Sequence, residues 1–296
     1  MPQKGSKIIK MREYELITKL FPQTKDLFMS DSQIIEINGQ KWGITCDEFS
    51  FEEDLFTQNQ PYILGYNLVS ATLSDLYATG CKPMFYEHAL VLPRDKNNEW
   101  CEQLALGIKE TLDKAGCTLI GGDTGKAKKF RYTGIALGQQ IKNISRIFPN
   151  KKQNLYITGK LGDANEAILK RKSTPVFELR NIPDNALACI DTSSGFMDSI
   201  WMLHSINPNF KIVVENPPCN NLGYLFGGAG EYELLFTSEY SPSYIKIGEV
   251  VPDDKGLYLN GKEITSPPPD PREYNSIISY ILAVKRQVKV FSGNNR

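Results

Sequence analysis

The sequence has few of the residues that build zinc and other transition-metal sites. Its 296 residues include two histidines, His88 and His204, and six cysteines, no two of which form a C-x-x-C pair. Zinc sites use cysteine and histidine at short, regular spacings, so the pattern argues against zinc. Cysteines scattered without a disulfide framework are typical of a reducing compartment, and we predict a cytoplasmic protein.

The sequence also lacks an excess of charge of either sign and any long apolar run. Lys+Arg and Asp+Glu number 34 each, which gives a formal net charge of zero. Proteins that bind nucleic acid are commonly basic, and a transmembrane helix needs about 20 consecutive apolar residues. The opening MPQKGSKIIK holds charges but not the apolar stretch of an export signal. We therefore expect neither nucleic acid nor a membrane as a partner.

The first half of the sequence alternates between strand and helix patterns. An amphipathic helix is predicted at 11–21, followed by a β-hairpin around the Asn-Gly turn at 38–39. A second helix is predicted at 64–79. A strand, a helix closed by Gly116 and two more strands complete this half. The alternation predicts a mixed α/β (α+β) fold.

The second half repeats the mixture after a polar segment that contains Pro149. It is predicted to contain strands at 154–159, 187–192 and 210–214, helices at 163–171 and 195–205, a strand after a glycine-rich segment, and a last helix at 273–286. The predicted organisation is a flexible N-terminus at 1–10, an N-terminal domain at 11–145, a C-terminal domain at 150–286 and a tail at 287–296.

The stretch LIGGDTGKAKKF, residues 119–130, has the composition of a phosphate-binding loop. A P-loop requires G-x-x-x-x-G-K-[ST]. Lys126 does follow a glycine, but Ile120 stands where the first glycine is required. Ala127 stands where the magnesium-binding hydroxyl belongs. The sequence therefore does not contain a P-loop.

Two glycine-rich segments remain as candidates for a close approach between backbone and ligand. Gly121 and Gly122 follow a predicted strand and place Asp123 at its end; a plain turn closed by this aspartate is the alternative. The segment FGGAGEYELLFT, residues 226–237, places Glu231 at the start of another predicted strand. A hairpin or bulge is the alternative there.

Asp75 lies on the apolar stripe of the helix predicted at 64–79. Leu64, Leu68, Ala71 and Asp75 follow one another along that stripe at spacings of four, three and four. A buried carboxylate without a partner is costly, so we expect Asp75 to meet a cation, a cluster of donors or a metal. The alternative is a solvated carboxylate at the end of the helix.

Further aspartates recur where the chain is predicted to change direction. Carboxylate oxygens are the ligands that magnesium prefers, and bound cations would allow such residues to accept a polyphosphate. The residues of this hypothetical magnesium site are Asp31, Asp47, Asp75, Asp123 and Asp191.

The order of these segments resembles the thiamine-monophosphate kinase family within the aminoimidazole ribonucleotide (AIR) synthetase superfamily. The likeness covers roughly residues 11–265. It is carried by six segments in the family's order: REYELITKLF, LGYNLVSATLSDLYATGCKP, LIGGDT, LYITGKLGDA, CIDTSSGF and FGGAGEYELLFT.

The resemblance implies an ATP- and Mg²⁺-dependent kinase that acts as a homodimer, in which the first-domain sheets of two subunits join into a barrel. It implies a small-molecule phosphate acceptor, such as thiamine monophosphate. The five aspartates take the metal-binding positions on this reading. The resemblance further implies that Ser74, Gly121, Gly122, Asp123 and Thr124 bind the nucleotide. It implies catalytic roles for Asp191, Ser194 and Glu231.

Some family positions are changed in this sequence. Ser32 and Ser194 stand where the family has carboxylates, and Glu231 stands where it has aspartate. Two alternatives therefore stay open beside the kinase. One is an ATP-dependent synthase or ligase of the same superfamily, which phosphorylates an amide or formyl oxygen. The other is a divergent nucleotide-binding, regulatory homodimer.

Overall fold

Two β-sheets organise the chain in the computed structural model. The structure describes residue 19 and residues 28–51, 58–170, 172–274 and 276–292. The helix predicted at 11–21 lies outside the described residues, apart from Lys19. No described helix is both long enough and apolar enough to cross a bilayer.

The first sheet has five strands in the order β1-β2-β5-β3-β4. All neighbouring pairs are antiparallel except β3 and β4, which are parallel. The predicted hairpin is confirmed: Asn38 and Gly39 turn with φ of 51° and 76°, the backbone that a two-residue hairpin requires. The strands are β1 (Gln33–Ile37), β2 (Gln40–Ser50), β3 (Cys81–Pro93), β4 (Thr118–Ala127) and β5 (Arg131–Gln140).

Two helices, α1 (Pro61–Ala78) and α2 (Asn98–Ala115), cover one face of this sheet. Fully buried side chains of α1, such as Leu68 and Leu76, pack in one apolar core with Tyr86 and Tyr132 of the sheet. Among the residues that the structure describes, no helix covers the other face, which we call the open face. Ile35, Ile37 and Ile44 of β1 and β2 are 37–44% exposed.

Contact between α1 and α2 depends on two glycines that let the backbones meet. A Cβ at Gly65 would lie 2.2 Å from the Leu104 carbonyl oxygen, and one at Gly107 would lie 2.0 Å from that of Tyr62. Neither oxygen can move without moving its helix.

We therefore expect Gly107→Ala to destabilise the protein. The clash costs about 3 kcal/mol, and the better helix propensity of alanine returns about 1 kcal/mol, so the net loss is about 2 kcal/mol. Urea unfolding followed by circular dichroism measures it. Gly125→Ala is the control, because its Cβ would meet nothing closer than Val91 Cγ2 at 4.0 Å. Equal stability of the two variants would contradict the packing argument.

The second sheet has seven strands in the order β12-β11-β8-β10-β6-β9-β7. Its strands are β6 (Gln153–Ile157), β7 (Ala188–Asp191), β8 (Phe210–Val214), β9 (Leu234–Ser238), β10 (Ile245–Pro252), β11 (Gly256–Leu259) and β12 (Lys262–Glu263). The helices of this half are α3 (Asp163–Lys170), α4 (Phe196–Ile206) and α5 (Ile277–Ser292). The mixed α/β fold is thus confirmed, and the two sheets lie on either side of the predicted boundary at 145–150.

An extended segment, residues 172–187, connects the second half to α1. The Asn67 side chain donates to the carbonyl oxygen of Pro175 at 2.8 Å and accepts from the amide of Phe177 at 2.9 Å. Phe177 is buried and packs against the ring of Tyr232 at 4.8 Å. These contacts fix the second half against the helix that carries Asp75.

Three local predictions are wrong. Residues 121–127 are part of strand β4 and not of a loop, since β4 pairs with β3 as far as Ala127. Asp123 consequently lies inside a strand, and so does Asp47, because β2 pairs with β5 as far as Ser50. The last helix continues past 286 to Ser292, because Phe291 packs on Phe226 with ring centroids 4.4 Å apart.

Candidate functional site

Three of the predicted aspartates meet where the two halves of the chain join. Asp31, Asp75 and Asp191 each offer a carboxylate oxygen, and these oxygens all lie within 4.8 Å of one another. Asp31 lies just before β1, Asp75 lies in the last turn of α1, and Asp191 ends β7. We call these three residues the carboxylate cluster.

Asp75 is held on the face of α1 that packs on the first sheet. The hydroxyl of Thr45 in β2 donates to Asp75 Oδ2 at 2.5 Å. The pKa of Asp75 is raised well above its ordinary value by burial, and further by the charges of Asp47, Asp191 and Asp31; the Thr45 hydrogen bond opposes this rise. The site therefore concentrates negative charge that the protein compensates only in part.

Asp191 is bound by both halves of the chain. Ser74 Oγ of α1 donates to Asp191 Oδ2 at 2.5 Å, and Ser193 Oγ donates to Oδ1 at 2.7 Å. Burial, and then the charge of Asp31, raise the pKa of Asp191 to about 6. Ser74, predicted as a nucleotide contact, thus orients a carboxylate of the cluster.

Arg146 is a cation that touches the cluster, and the sequence analysis missed it. Its Nη2 lies 2.7 Å from Asp31 Oδ1, and its Nη1 donates to the carbonyl oxygen of Phe28 at 3.0 Å. Burial opposes its charge, but Asp31, Asp191 and Asp75 raise its pKa overall. A single arginine in a polar connecting segment gave no sequence signal of this contact.

Asp47 and Asp123 lie on opposite faces of the first sheet. Asp47 shares the helix-covered face with Thr45, two residues earlier in the same strand. Asp123 pairs in register with Ala89 of β3. The residues on either side of Ala89, His88 and Leu90, face α2, so Ala89 and Asp123 face the opposite side of the sheet. Asp123 therefore points to the open face, and strands β5 and β3 separate its strand from that of Asp47. Within one chain it cannot join the carboxylate cluster.

The same alternation divides the predicted nucleotide-binding segment. A groove of about 560 Å³ lies between α2 and strands β3 and β4, and Thr124 contributes to its lining. Thr124 thus faces the helix side, whereas Gly121 and Asp123 face the open side. One ligand cannot contact both Asp123 and Thr124 side chains from a single face of the sheet.

Glu231 is buried and does not belong to the carboxylate cluster; it contacts the start of α3. Its Oε1 accepts from the backbone amide of Ala164 at 2.8 Å. Burial is the main cause that raises its pKa to about 7, although hydrogen bonds from the Ala164 and Gly162 amides lower it. The carboxylate thus caps the first turn of α3, and this contact links the glycine-rich segment to the helix.

The two serines at changed family positions differ in their surroundings. Ser194 is exposed, directly after Ser193. Ser32 is buried, and its hydroxyl lies 2.5 Å from that of Thr79 at the end of α1. Ser32 therefore secures α1 and does not offer a free ligand to the cluster.

The sequence analysis also missed Glu233, another buried carboxylate. Arg180 binds both of its oxygens, with Nε and Nη2 at 2.7 Å each, and the hydroxyl of Thr158 donates to Oε2. Such a bidentate pair fixes geometry. It fastens the extended segment 172–187 to the start of β9.

The carboxylate cluster fits a divalent cation by its own chemistry. Its donors are all hard oxygens, as Mg²⁺ prefers. Hydroxyls of Thr45 and Ser74 orient two of the three carboxylates, as groups behind a metal ligand commonly do. The raised pKa values of Asp75 and Asp191 show that more positive charge would stabilise their ionised forms.

Comparison with known proteins gives the same picture as the motifs. Residues 29–140 match the family model of the AIR synthase related protein, N-terminal domain. The thiamine-monophosphate kinase of Archaeoglobus fulgidus is 28% identical over 284 residues, which cover 85% of this chain and 94% of that protein. The enzyme of Aquifex aeolicus is 21% identical, with 79% and 89% covered.

Solved structures share the fold. AaThiL complexed with AMPPCP and TMP superposes with a TM-score of 0.76 at 23% identity, covering 89% of this chain and 98% of that one. HypE of E. coli superposes with a TM-score of 0.64 at 20% identity, covering 88% and 100%. The chain is thus similar to thiamine-monophosphate kinases over most of its length, and its first half matches the AIR synthase related domain.

Proposed function

We propose that this protein is an ATP- and Mg²⁺-dependent phosphotransferase that moves the γ-phosphate of ATP to thiamine monophosphate or a related small acceptor. The observation that carries the proposal is the carboxylate cluster, built at the junction of the two halves in a chain whose relatives are thiamine-monophosphate kinases. The neighbour AaThiL was solved with AMPPCP and TMP, which supports the choice of both substrates.

The electrostatics of the site explain why the metal belongs to the proposal. Three converging carboxylates would repel a polyphosphate. Bound Mg²⁺ supplies the charge that neutralises phosphate oxygens during transfer. Asp75 and Asp191 would hold the ion, Thr45 and Ser74 keep their oxygens aimed, and Arg146 fixes Asp31.

The acceptor chemistry fits a site that offers few bases. A phosphate monoester is already an oxyanion at neutral pH, so it needs no residue to remove a proton before attack. Positioning and charge neutralisation then supply most of the acceleration. Asp191 and the exposed Ser194 would border the transferred group, whereas Glu231 would act by holding the glycine-rich segment to α3.

A homodimer is part of the proposal because the open face of the first sheet needs a cover. Ile35, Ile37 and Ile44 expose apolar surface there, and Trp42 and Phe85 stack on the same face with centroids 6.3 Å apart. If the first sheets of two subunits join, the second subunit covers this face. Asp123 faces this side, so we propose that it serves the site of the partner subunit together with Gly121, whereas Gly122 pairs with His88 on the helix side.

Product analysis tests the proposed reaction. With ATP, Mg²⁺ and thiamine monophosphate, we expect ADP and a diphosphate ester of the acceptor in equal amounts, and no reaction when Mg²⁺ is omitted. Inorganic phosphate released together with a new covalent bond in the acceptor would identify a ligase instead. ATP binding without turnover over a panel of phosphorylated acceptors would identify a regulatory protein, which the carboxylates lost at Ser32 and Ser194 would explain.

A further inference from the structure

The last helix, α5, buries one side firmly and leaves the other uncovered. On its inner side, Tyr280 and Val284 are buried, and Phe291 stacks on Phe226. Val288 lies over Gly223, where any Cβ would come within 2.5 Å of it. These contacts fix the rotation of the helix, and therefore also fix which residues face outward.

The outward side combines exposed apolar residues with cations. Ile278 is 68% exposed, Leu282 is 50% exposed and Val290 is 61% exposed. Ile278, Leu282, Lys285 and Lys289 follow one another at spacings of four, three and four, which places them on one stripe of the helix. Arg286 and Val290 flank that stripe. We call these six residues the outer face of α5.

The charge of α5 is one-sided, although the whole chain is neutral. The helix sequence IISYILAVKRQVKVFS holds three cations and no Asp or Glu. Within the part of the chain that the structure describes, Lys285, Arg286 and Lys289 form no ion pair. The net charge of zero was the reason to expect no membrane partner. It does not describe this surface, which is locally positive.

We propose that the outer face of α5 docks on an anionic lipid surface. The cations match a negative headgroup layer, and the exposed aliphatic side chains can enter its apolar boundary. A protein partner fits less well, because lysine is depleted from the cores of protein interfaces, whereas here Lys285 and Lys289 continue the same stripe as Ile278 and Leu282. Lysine stems can lie along a bilayer boundary while their ammonium groups stay in water.

Vesicle binding by the intact protein tests this docking. We expect sedimentation with phosphatidylcholine vesicles only when they contain phosphatidylserine, and weakening of that binding as salt rises. Lys285→Gln, Arg286→Gln and Lys289→Gln together should weaken it about 100-fold, at about 5-fold for each cation. Leu282→Ser should weaken it without any change in charge.

The matched control removes the same charge elsewhere. Lys160, Lys246 and Lys255 are exposed outside α5, and replacing all three by glutamine should leave vesicle binding within about 2-fold of the wild type, since these residues lie off the docking face. An equal loss of binding in the control would show that only the net charge of the protein matters, and this would overturn the proposal. Absence of vesicle binding by the wild type would overturn it as well. If Leu282→Ser instead abolished a self-association seen by ultracentrifugation, the face would be a protein interface.

Discussion

Asp75→Asn is expected to lower kcat by about 1000-fold while raising the stability of the metal-free protein. The loss of activity follows because the proposed metal would supply several kcal/mol of charge stabilisation in phosphoryl transfer, and Asp75 is one of the three residues of the carboxylate cluster that would hold it. The gain follows because asparagine removes a half-buried charge whose neighbours Asp47, Asp191 and Asp31 all repel it. Asparagine can still accept the Thr45 hydrogen bond.

The pH dependence separates this electrostatic effect from a change in packing. A carboxyl with a raised folded-state pKa binds its proton more tightly when folded than when unfolded. Its contribution to stability is therefore present at low pH and is lost as pH rises through the folded pKa. For Asp191 that interval runs from its ordinary value of 3.8 to about 6, and for Asp75 the shift has the same direction.

Thermal melts without metal should therefore show wild-type stability falling as pH rises from about 4 to 7. The fall should be smaller in Asp75→Asn, and Mg²⁺ should restore stability at neutral pH in the wild type but not in Asp75→Asn. Asp253→Asn, at an exposed turn, is the control and should behave as the wild type. Identical pH profiles for wild type and Asp75→Asn would show that burial and neighbouring charges do not destabilise the ionised form of Asp75.

The sequence was most informative where local rules and burial agree. Asn38-Gly39 predicted the hairpin, and the strand at 210–214 was predicted to the residue, because five alternating residues there are bounded by turns. Asp75 was found because a carboxylate on an apolar stripe violates the pattern of its helix. Asp191 was found because it ends a buried strand.

Other features depend on contacts that no local pattern encodes. Arg146 reaches Asp31 across 115 residues, and the pair of Arg180 with Glu233 spans 53 residues. Asp123 was placed in a loop because glycines dominate its segment, but pairing with β3 makes the segment a strand. Whether a strand residue faces the helices or the open side follows from its register, which only the folded sheet fixes.

The placement of Asp123 leads to an expected result that a single-chain site could not produce. Asp123→Asn and Asp75→Asn subunits should each be inactive alone, yet a mixture of the two should recover activity. In a mixed dimer, the Asp123→Asn subunit keeps an intact carboxylate cluster, and the Asp75→Asn subunit supplies the missing Asp123. One of the two sites is then complete, so equal co-expression should give about a quarter of wild-type activity if subunits pair at random.

The control for this complementation places both changes in one chain. Mixing the Asp75→Asn/Asp123→Asn double variant with either single variant leaves no complete site in any dimer and should recover nothing. Activity that stays absent in the mixture of single variants, when mixed dimers have been isolated by two affinity tags, would show that Asp123 does not act across the interface. Full activity of Asp123→Asn alone would remove it from the site altogether. Because Asp123 faces away from α1 while Asp75 is carried by α1, recovery by mixing requires the open faces of two sheets to meet, and the same measurement therefore tests the proposed dimer.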